Sequence, residues 1–198
     1  MSAIKSRPAY RPLALDPSGA RHLLLTDRPG LPQDAVSGAT ALEATGAEVW
    51  TIAADSRVLA GPAVRAAGDA LRVRRAFRSR VLMLERLAHR LAAERMGLRL
   101  YAVGTEDFLW DVRNLAAAHG MGAEEVHLTH HGSRRRRVIC VHCRTVANGV
   151  TTTIVTCGGC GARLFVRDHF SRLLGGFQGV QVDAETPGEV PAAEIAYP

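Results

Sequence analysis

The sequence predicts an α/β fold, a small Rossmann-like parallel sheet with helices, followed by a C-terminal β-rich ribbon built around cysteines. Three observations carry this. Over residues 21–132 short apolar runs alternate with amphipathic stretches, the pattern of strand–helix–strand units. All four Cys lie between positions 140 and 160, in two C-x-x-C pairs. Residues 138–166 are rich in Val, Ile and Thr and show no helical period. A length of 198 residues suits one ordinary domain or two small ones.

The elements follow in order. Pro8, Pro12 and Pro17 make residues 1–20 an irregular lead-in. His22–Thr26 is a short apolar run, read as a buried strand, that ends in the turn signal Asp27-Arg28-Pro29-Gly30. Gln33–Thr45 reads as a helix closed by Gly46, and Glu48–Ala53 as a second strand. Residues 55–78 are rich in Ala and Arg, broken by Gly61-Pro62 and Gly68, and give no clear element. From Ser79 onward Leu84, Leu87, Ala88, Leu91 and Ala92 recur at helical spacing until Gly97. Leu98–Val103 is a third strand. Thr105 is placed to cap the next helix, with Glu106 and Asp107 in its first turn and Gly120 as its stop. Its apolar face is Phe108, Val112, Leu115, Ala116 and His119, and Glu125–Thr129 is a fourth strand. The predicted organisation is therefore a lead-in (1–20), an α/β domain (21–132), a ribbon (133–182) and an extended tail (183–198).

Charge is distributed in blocks. Net charge is +6, and of 25 basic residues all but Lys5 are Arg. Residues 57–99 hold eleven Arg against three acids, and residues 134–172 hold eight against one. Such blocks point to an acidic counterpart: nucleic acid, an acidic protein or a phosphorylated cofactor. No run approaches the roughly 20 apolar residues that cross a bilayer, and the N-terminus lacks the apolar core of a secretory signal. No membrane partner and a cytoplasmic location are the expectations.

The pairs Cys140-Val141-His142-Cys143 and Cys157-Gly158-Gly159-Cys160 are the strongest motif. Two Cys three positions apart can wrap a knuckle so that both thiolates face one ion, and two knuckles complete a tetrahedron. Gly158, Gly159 and Gly161 suit such tight backbone. Four thiolates close the site, so a structural zinc is expected. It would supply on the order of 10 kcal/mol to a ribbon too small for its own core. Iron of the rubredoxin type and a redox dithiol are the alternatives. His142 is expected beside the metal or exposed rather than as a ligand.

Other signals are weaker. The run Arg134, Arg135, Arg136, Arg137 is either a solvated entry to the ribbon or a docking patch. Nucleic acid is disfavoured as a partner, because aromatics are 5% of the chain and Lys is nearly absent. The first strand ends without a G-x-G-x-x-G fingerprint, and acids follow Gly104, so phosphate binding in the α/β part lacks its usual signature. His127, His130 and His131 could form a second metal site, although strand alternation and loop placement explain them. There is no G-x-S-x-G, P-loop or H-E-x-x-H, and no catalytic residue is assigned.

One stretch carries a family likeness. It runs from Arg137 through both Cys pairs to Leu164-Phe165-Val166-Arg167-Asp168-His169-Phe170-Ser171-Arg172, then Leu173-Leu174-Gly175-Gly176-Phe177-Gln178-Gly179-Val180 and Pro187-Gly188. With Val182-Asp183-Ala184-Glu185, it resembles the A subunit of bacterial dimethylamine monooxygenase, most strongly over residues 134–188. Leu100–Trp110 is similar to the late nicotinamide-domain segment of ferredoxin-reductase-like enzymes, which makes the α/β domain reductase-like. The resemblance implies a multi-component enzyme that uses NADPH and O2 to convert dimethylamine to methylamine and formaldehyde. Haem, FMN and a 2Fe-2S cluster are then expected on partner subunits, since this chain has no Cys beyond its tetrad. The chain itself is expected to be a non-catalytic or accessory subunit that supports assembly or electron transfer. The Arg167–Arg172 segment fits a subunit contact, with Arg134, Arg135, Arg136, Arg137, Arg167, His169, Phe170 and Arg172 as candidate partner-binding residues. Its alternative is an internal Arg167–Asp168 pair with Phe170 in the ribbon's own core. The competing functions are a nucleic-acid-binding zinc ribbon and a reductase-like electron carrier with iron at the tetrad.

Overall fold

In the computed structural model the described residues are 6–32, 35, 40–42, 44–53 and 73–198. The chain divides into two compact units. One comprises residues 10–104 and 111–131, the other residues 1–9, 105–110 and 132–198. The parallel sheet with helices and the β-rich C-terminal region predicted from the sequence are both present.

The first unit holds strands β1 (Arg21–Thr26), β2 (Glu48–Ile52), β3 (Val73–Phe77), β4 (Leu98–Gly104) and β5 (Val126–His130). All pair in parallel, in the order β3-β2-β1-β4-β5. Leu23, Leu24 and Leu25 of β1 are all buried, as a central strand covered on both faces requires. The helix expected over 33–45 lies partly outside the described residues; 40–42 and 44 are helical, and Gly46 follows with φ 74°. β3 falls within residues 55–78, where no element is legible from the sequence. Its VRRAF sequence is masked by arginine, which suits a sheet edge where charge deters further pairing.

Helix α1 (Arg80–Ala92) starts at Ser79, whose Oγ accepts from the Leu82 N–H at 3.3 Å. Its buried stripe is Met83, Leu87 and Leu91, one step round from the face read off Leu84 and Ala92. Each such burial is worth about 1.5–3 kcal/mol. Gly97, at φ 98°, turns the chain into β4. Helix α2 (Glu106–Ala118) ends at Gly120 with φ 83°, where the Met121 N–H donates to the Ala116 carbonyl at 3.1 Å. Phe108, Val112 and Ala116 are buried as expected, but His119 is exposed.

The lead-in is tied to this unit through Asp16. Its carboxylate accepts from the Ser18 N–H and hydroxyl at 2.9 and 2.7 Å and from Arg99 Nε at 2.8 Å. The Ser18 hydrogen bonds, and then Arg99, hold Asp16 well below the usual carboxylate range. The Asp16 N–H donates to the Tyr101 hydroxyl at 3.0 Å, and that hydroxyl lies 3.1 Å from His22 Nδ1. Burial pushes the His22 pKa down.

The second unit is a mixed five-stranded sheet, β7-β6-β10-β9-β8. Its strands are β6 (Arg136–Cys140), β7 (Val146–Val150), β8 (Ile154–Thr156), β9 (Arg163–Ser171) and β10 (Gly176–Gln181). One face packs Val138, Val150, Val166, Phe170, Phe177 and Trp110 into a core. The segment after residue 190 returns along this unit: Ile195 bridges Thr152, and the Tyr197 N–H donates to the Thr151 carbonyl at 2.9 Å. Among the described residues no helix is long and apolar enough to cross a membrane.

Candidate metal centre

The four Cys come together as their spacing requires. The Sγ atoms of Cys140, Cys143, Cys157 and Cys160 all lie within 4.8 Å of one another. Cys140 Sγ is 3.8 Å from Cys160 Sγ, and Cys143 Sγ is 3.5 Å from Cys157 Sγ. A tetrahedron with metal–sulfur bonds of about 2.3 Å has edges of about 3.8 Å. The donor set therefore fits one tetrahedral ion, and the sulfurs are too close to straddle two irons.

The two knuckles repeat one local design. In the first, the Arg144 N–H donates to the Cys140 carbonyl at 3.0 Å and the Cys140 N–H to the Thr145 carbonyl at 3.0 Å. In the second, the Gly161 N–H donates to the Cys157 carbonyl at 3.0 Å and the Cys157 N–H to the Ala162 carbonyl at 2.9 Å. Both turns place the residue after the second Cys in the left-handed region, Arg144 at φ 65° and Gly161 at φ 75°. Glycine takes that conformation at little cost; arginine is held there by the turn. Cys140 and Cys157 open the knuckles from buried positions beside Leu164, whereas Cys143 and Cys160 reach the surface. His142 is exposed and stands outside the ligand group.

Gly159 is required by close approach. A Cβ at this position would overlap Thr145 Oγ1, and would lie 3.0 Å from Thr145 Cβ and 3.2 Å from Cys143 Sγ. Thr145 Oγ1 itself is 3.2 Å from Cys143 Sγ. Hydrogen bonding from the Thr145 side chain and backbone holds the Cys143 thiol down to about 6. At Cys160 a backbone hydrogen bond from Ala162 favours the thiolate. Desolvation and the three neighbouring sulfurs outweigh it and push the thiol up to about 11. Sulfurs packed this closely resist carrying four negative charges together, and a divalent cation removes that conflict.

The candidate partner-binding residues separate into two groups. Arg134, Arg135, Arg167, His169 and Arg172 are exposed; Arg136, Arg137 and Phe170 are buried. Arg136 is stacked between two rings, its guanidinium carbon 4.0 Å from the centre of Phe177 and 3.8 Å from that of Tyr197. It donates to Asp168 Oδ1 at 2.6 Å, and Arg7 pairs with the other carboxylate oxygen. The pairing weighed for Asp168, with Arg167, does not form. Neighbouring residues of a strand point to opposite faces, so Asp168 turns inward to Arg136 while Arg167 turns outward. Phe170 sits 4.7 Å from Trp110 and 4.9 Å from Phe177, ring centre to ring centre.

The three histidines do not gather into a metal site among the described residues. His127 stacks on Tyr101 at 4.9 Å, and His130 on Tyr10 at 5.4 Å. Four arginines of the first block pair inside their own unit. Arg75 and Arg90 pair with Glu48 at 3.2 and 3.1 Å, Arg99 with Asp16 at 2.8 Å, and Arg80 with Asp111 at 3.8 Å. Residues 57–72 of that block lie outside the described residues.

Comparison with known proteins adds the lineage. The model of the dimethylamine monooxygenase subunit DmmA-like N-terminal domain matches residues 2–126, and that of the C-terminal domain matches residues 137–180. The chain belongs to this DmmA-like family. It is similar to the haem-dependent oxidative N-demethylase delta subunit of Ectopseudomonas mendocina (strain ymp), with 41% identity over 101 residues. That alignment covers 51% of this chain and 58% of the relative. A solved structure of phthalate dioxygenase reductase aligns with a TM-score of 0.41 and 13% identity, over 72% of this chain and 46% of that one.

The first unit can be tested for a fit to NADPH. In parallel sheets of this order a dinucleotide lies outside the carboxyl ends of the strands, at the switch point between β1 and β4. Here Gly104, at the end of β4, is packed by Asp27 from the loop after β1. A Cβ at 104 would lie 2.5–2.9 Å from the Asp27 carboxyl atoms. Close backbone approach is present, but it serves the chain's own carboxylate. At this approach the Asp27 carboxylate would repel a pyrophosphate.

Proposed function

We propose that the chain is an accessory, non-catalytic subunit of a haem-dependent monooxygenase that converts dimethylamine to methylamine and formaldehyde with NADPH and O2. Haem, FMN and the 2Fe-2S cluster belong to partner subunits of the same complex, and the cysteine tetrad of this chain holds a structural zinc. The supporting observation is that all four Cys converge on one tetrahedral position. No thiolate is left for a second centre. The N-demethylase delta subunit named above, and the family models matched in both units, favour the same reading. Residues 21–132 act as the α/β domain and residues 133–182 as the zinc ribbon. Their role is assembly of the complex or support of electron transfer within it.

Elemental analysis of the purified chain, followed by reconstitution, tests this. One equivalent of zinc in a colourless protein is expected, with haem retained by a different subunit. N-demethylation by the reconstituted set should fall when this chain is left out. A red protein with one iron would make it an electron carrier instead. Full activity without the chain would overturn the subunit assignment.

A further inference from the structure

We infer that the outward face of the second sheet is a docking surface for an acidic protein segment of a neighbouring subunit, with Phe165 as the apolar anchor and Arg163, Arg167 and His169 as the cations. The inference rests on the proposal that the chain works inside a multi-subunit oxygenase, and it assigns the contact within it. Strand β9 alternates burial along its length: Leu164, Val166 and Phe170 point into the core, while Arg163, Phe165, Arg167 and His169 are exposed. Phe165 stays 43% exposed in mid-strand. Val180 lies opposite it on β10. Val141, whose N–H donates to the Gly179 carbonyl, extends the row beyond β6 and is 41% exposed. An apolar row thus crosses the sheet with cations on either side of it along β9.

The charge of this face selects the occupant. Strands β6 to β10 contain one carboxylate, Asp168, and it lies on the inward side, held by Arg136 and Arg7. The outward cations therefore meet no competing acid from the strands. Asp183, which feels the charge of Arg163, is beyond β10, and its carboxylate accepts from Gln181 Nε2 and the Gly188 N–H. Exposed Arg around a single aromatic ring, set in an apolar row, matches carboxylates grouped around an apolar side chain. Aromatic and Arg residues are the side chains that dominate protein interfaces. A nucleic acid would want several stacking rings, and this face offers one.

The test uses the complex. The chain is co-expressed with the other N-demethylase subunits and captured through a tag on the haem-bearing one. The variants are Phe165→Glu/Arg167→Glu, which places a carboxylate at the anchor and reverses one cation, and the control Met96→Glu, at a 97% exposed position of the first unit. Retention of the double variant should fall about tenfold or more, with the control retained like wild type and metal content unchanged in all. A photoreactive phenylalanine at position 165 should cross-link to a carboxylate-rich peptide of another subunit, which covers the case where the double variant misfolds. Wild-type retention of the double variant, or cross-links confined to nucleic acid or to this chain, would overturn the surface assignment alone. Failure of wild type to be retained would overturn the subunit proposal with it.

Discussion

Gly159→Ala is the substitution whose outcome the metal centre specifies most closely. The added methyl would overlap Thr145 Oγ1 and press to 3.0 Å on Thr145 Cβ and 3.2 Å on Cys143 Sγ. Thr145 is β-branched and has few rotamers to retreat into. Turning its hydroxyl away also removes the hydrogen bond that holds the Cys143 thiol down. Overpacking of this kind costs about 1–3 kcal/mol. If the cost falls on the metal-bound state, affinity drops about 5- to 150-fold. Competition for zinc against a chromophoric chelator at fixed pH measures it. Thr145→Ala alone loses one hydrogen bond to sulfur, worth about 0.5–1.5 kcal/mol. In the double variant the clash with Oγ1 is gone, so most of the Gly159→Ala loss should return. A coupling below about 0.3 kcal/mol, or wild-type affinity in Gly159→Ala, would refute the argument.

Other consequences follow from the second unit and the first. Phe170→Ala removes a ring packed between Trp110 and Phe177, and should cost about 3–5 kcal/mol in denaturant unfolding; a cost under about 1 kcal/mol would place Phe170 outside the core. Tyr197→Ala should cost about 1 kcal/mol, or about 2–4 °C in a thermal scan, by uncovering one face of the Arg136 guanidinium. The Asp168 carboxyl is held below its ordinary value, by the hydrogen bond from Arg7 first and by Arg136 against the opposing effect of burial. Its folded pKa is lower than its unfolded one, so its contribution is complete above about pH 4 and lost as pH falls through the folded value. Asp168→Asn should flatten that acid limb of the stability curve, and an unchanged limb would contradict the assignment. The fluorescence of NADPH titrated with the purified chain should show no binding tighter than about 1 mM, and micromolar saturation would show that Asp27 moves aside.

Legibility in the sequence tracked how local the physics was. The tetrad was readable because C-x-x-C spacing and glycines after it are local constraints, and Gly161 at φ 75° is the residue such a turn asks for. Arg144 fills the equivalent turn at φ 65°, and no residue preference could have announced it. The helix stops at Gly97 and Gly120 were equally local. β3 was not legible, because its pairing with β2 and the Arg75–Glu48 contact are long-range, and an Arg-rich edge strand lacks an apolar run. The candidate partner-binding residues are the least legible. A run such as Arg134–Arg137 or Arg167–Arg172 reads as one patch in a string, yet period-2 alternation sends Asp168 and Phe170 inward and Arg167 and His169 outward. That alternation sets Phe165 outward and Phe170 inward on β9.

The same alternation explains how one chain carries two Arg-rich blocks of different consequence. In the first unit Arg75, Arg90 and Arg99 end on Glu48, Glu94, Asp16 and Glu125, carboxylates supplied by the same unit. Those cations are paired where they stand. In the second unit the strands supply only Asp168, and Arg136 and Arg7 consume it. Arg134, Arg135, Arg167 and Arg172 form no ion pair among the described residues. Their charge is directed at solvent from a sheet with a packed core on its other face. Pre-ordered cations lose little entropy on meeting carboxylates, which is what makes a docking face effective. With the proposed metal in the tetrad and the proposed docking on the outward face, removing the ion should loosen the ribbon and weaken docking together, without the metal touching the partner.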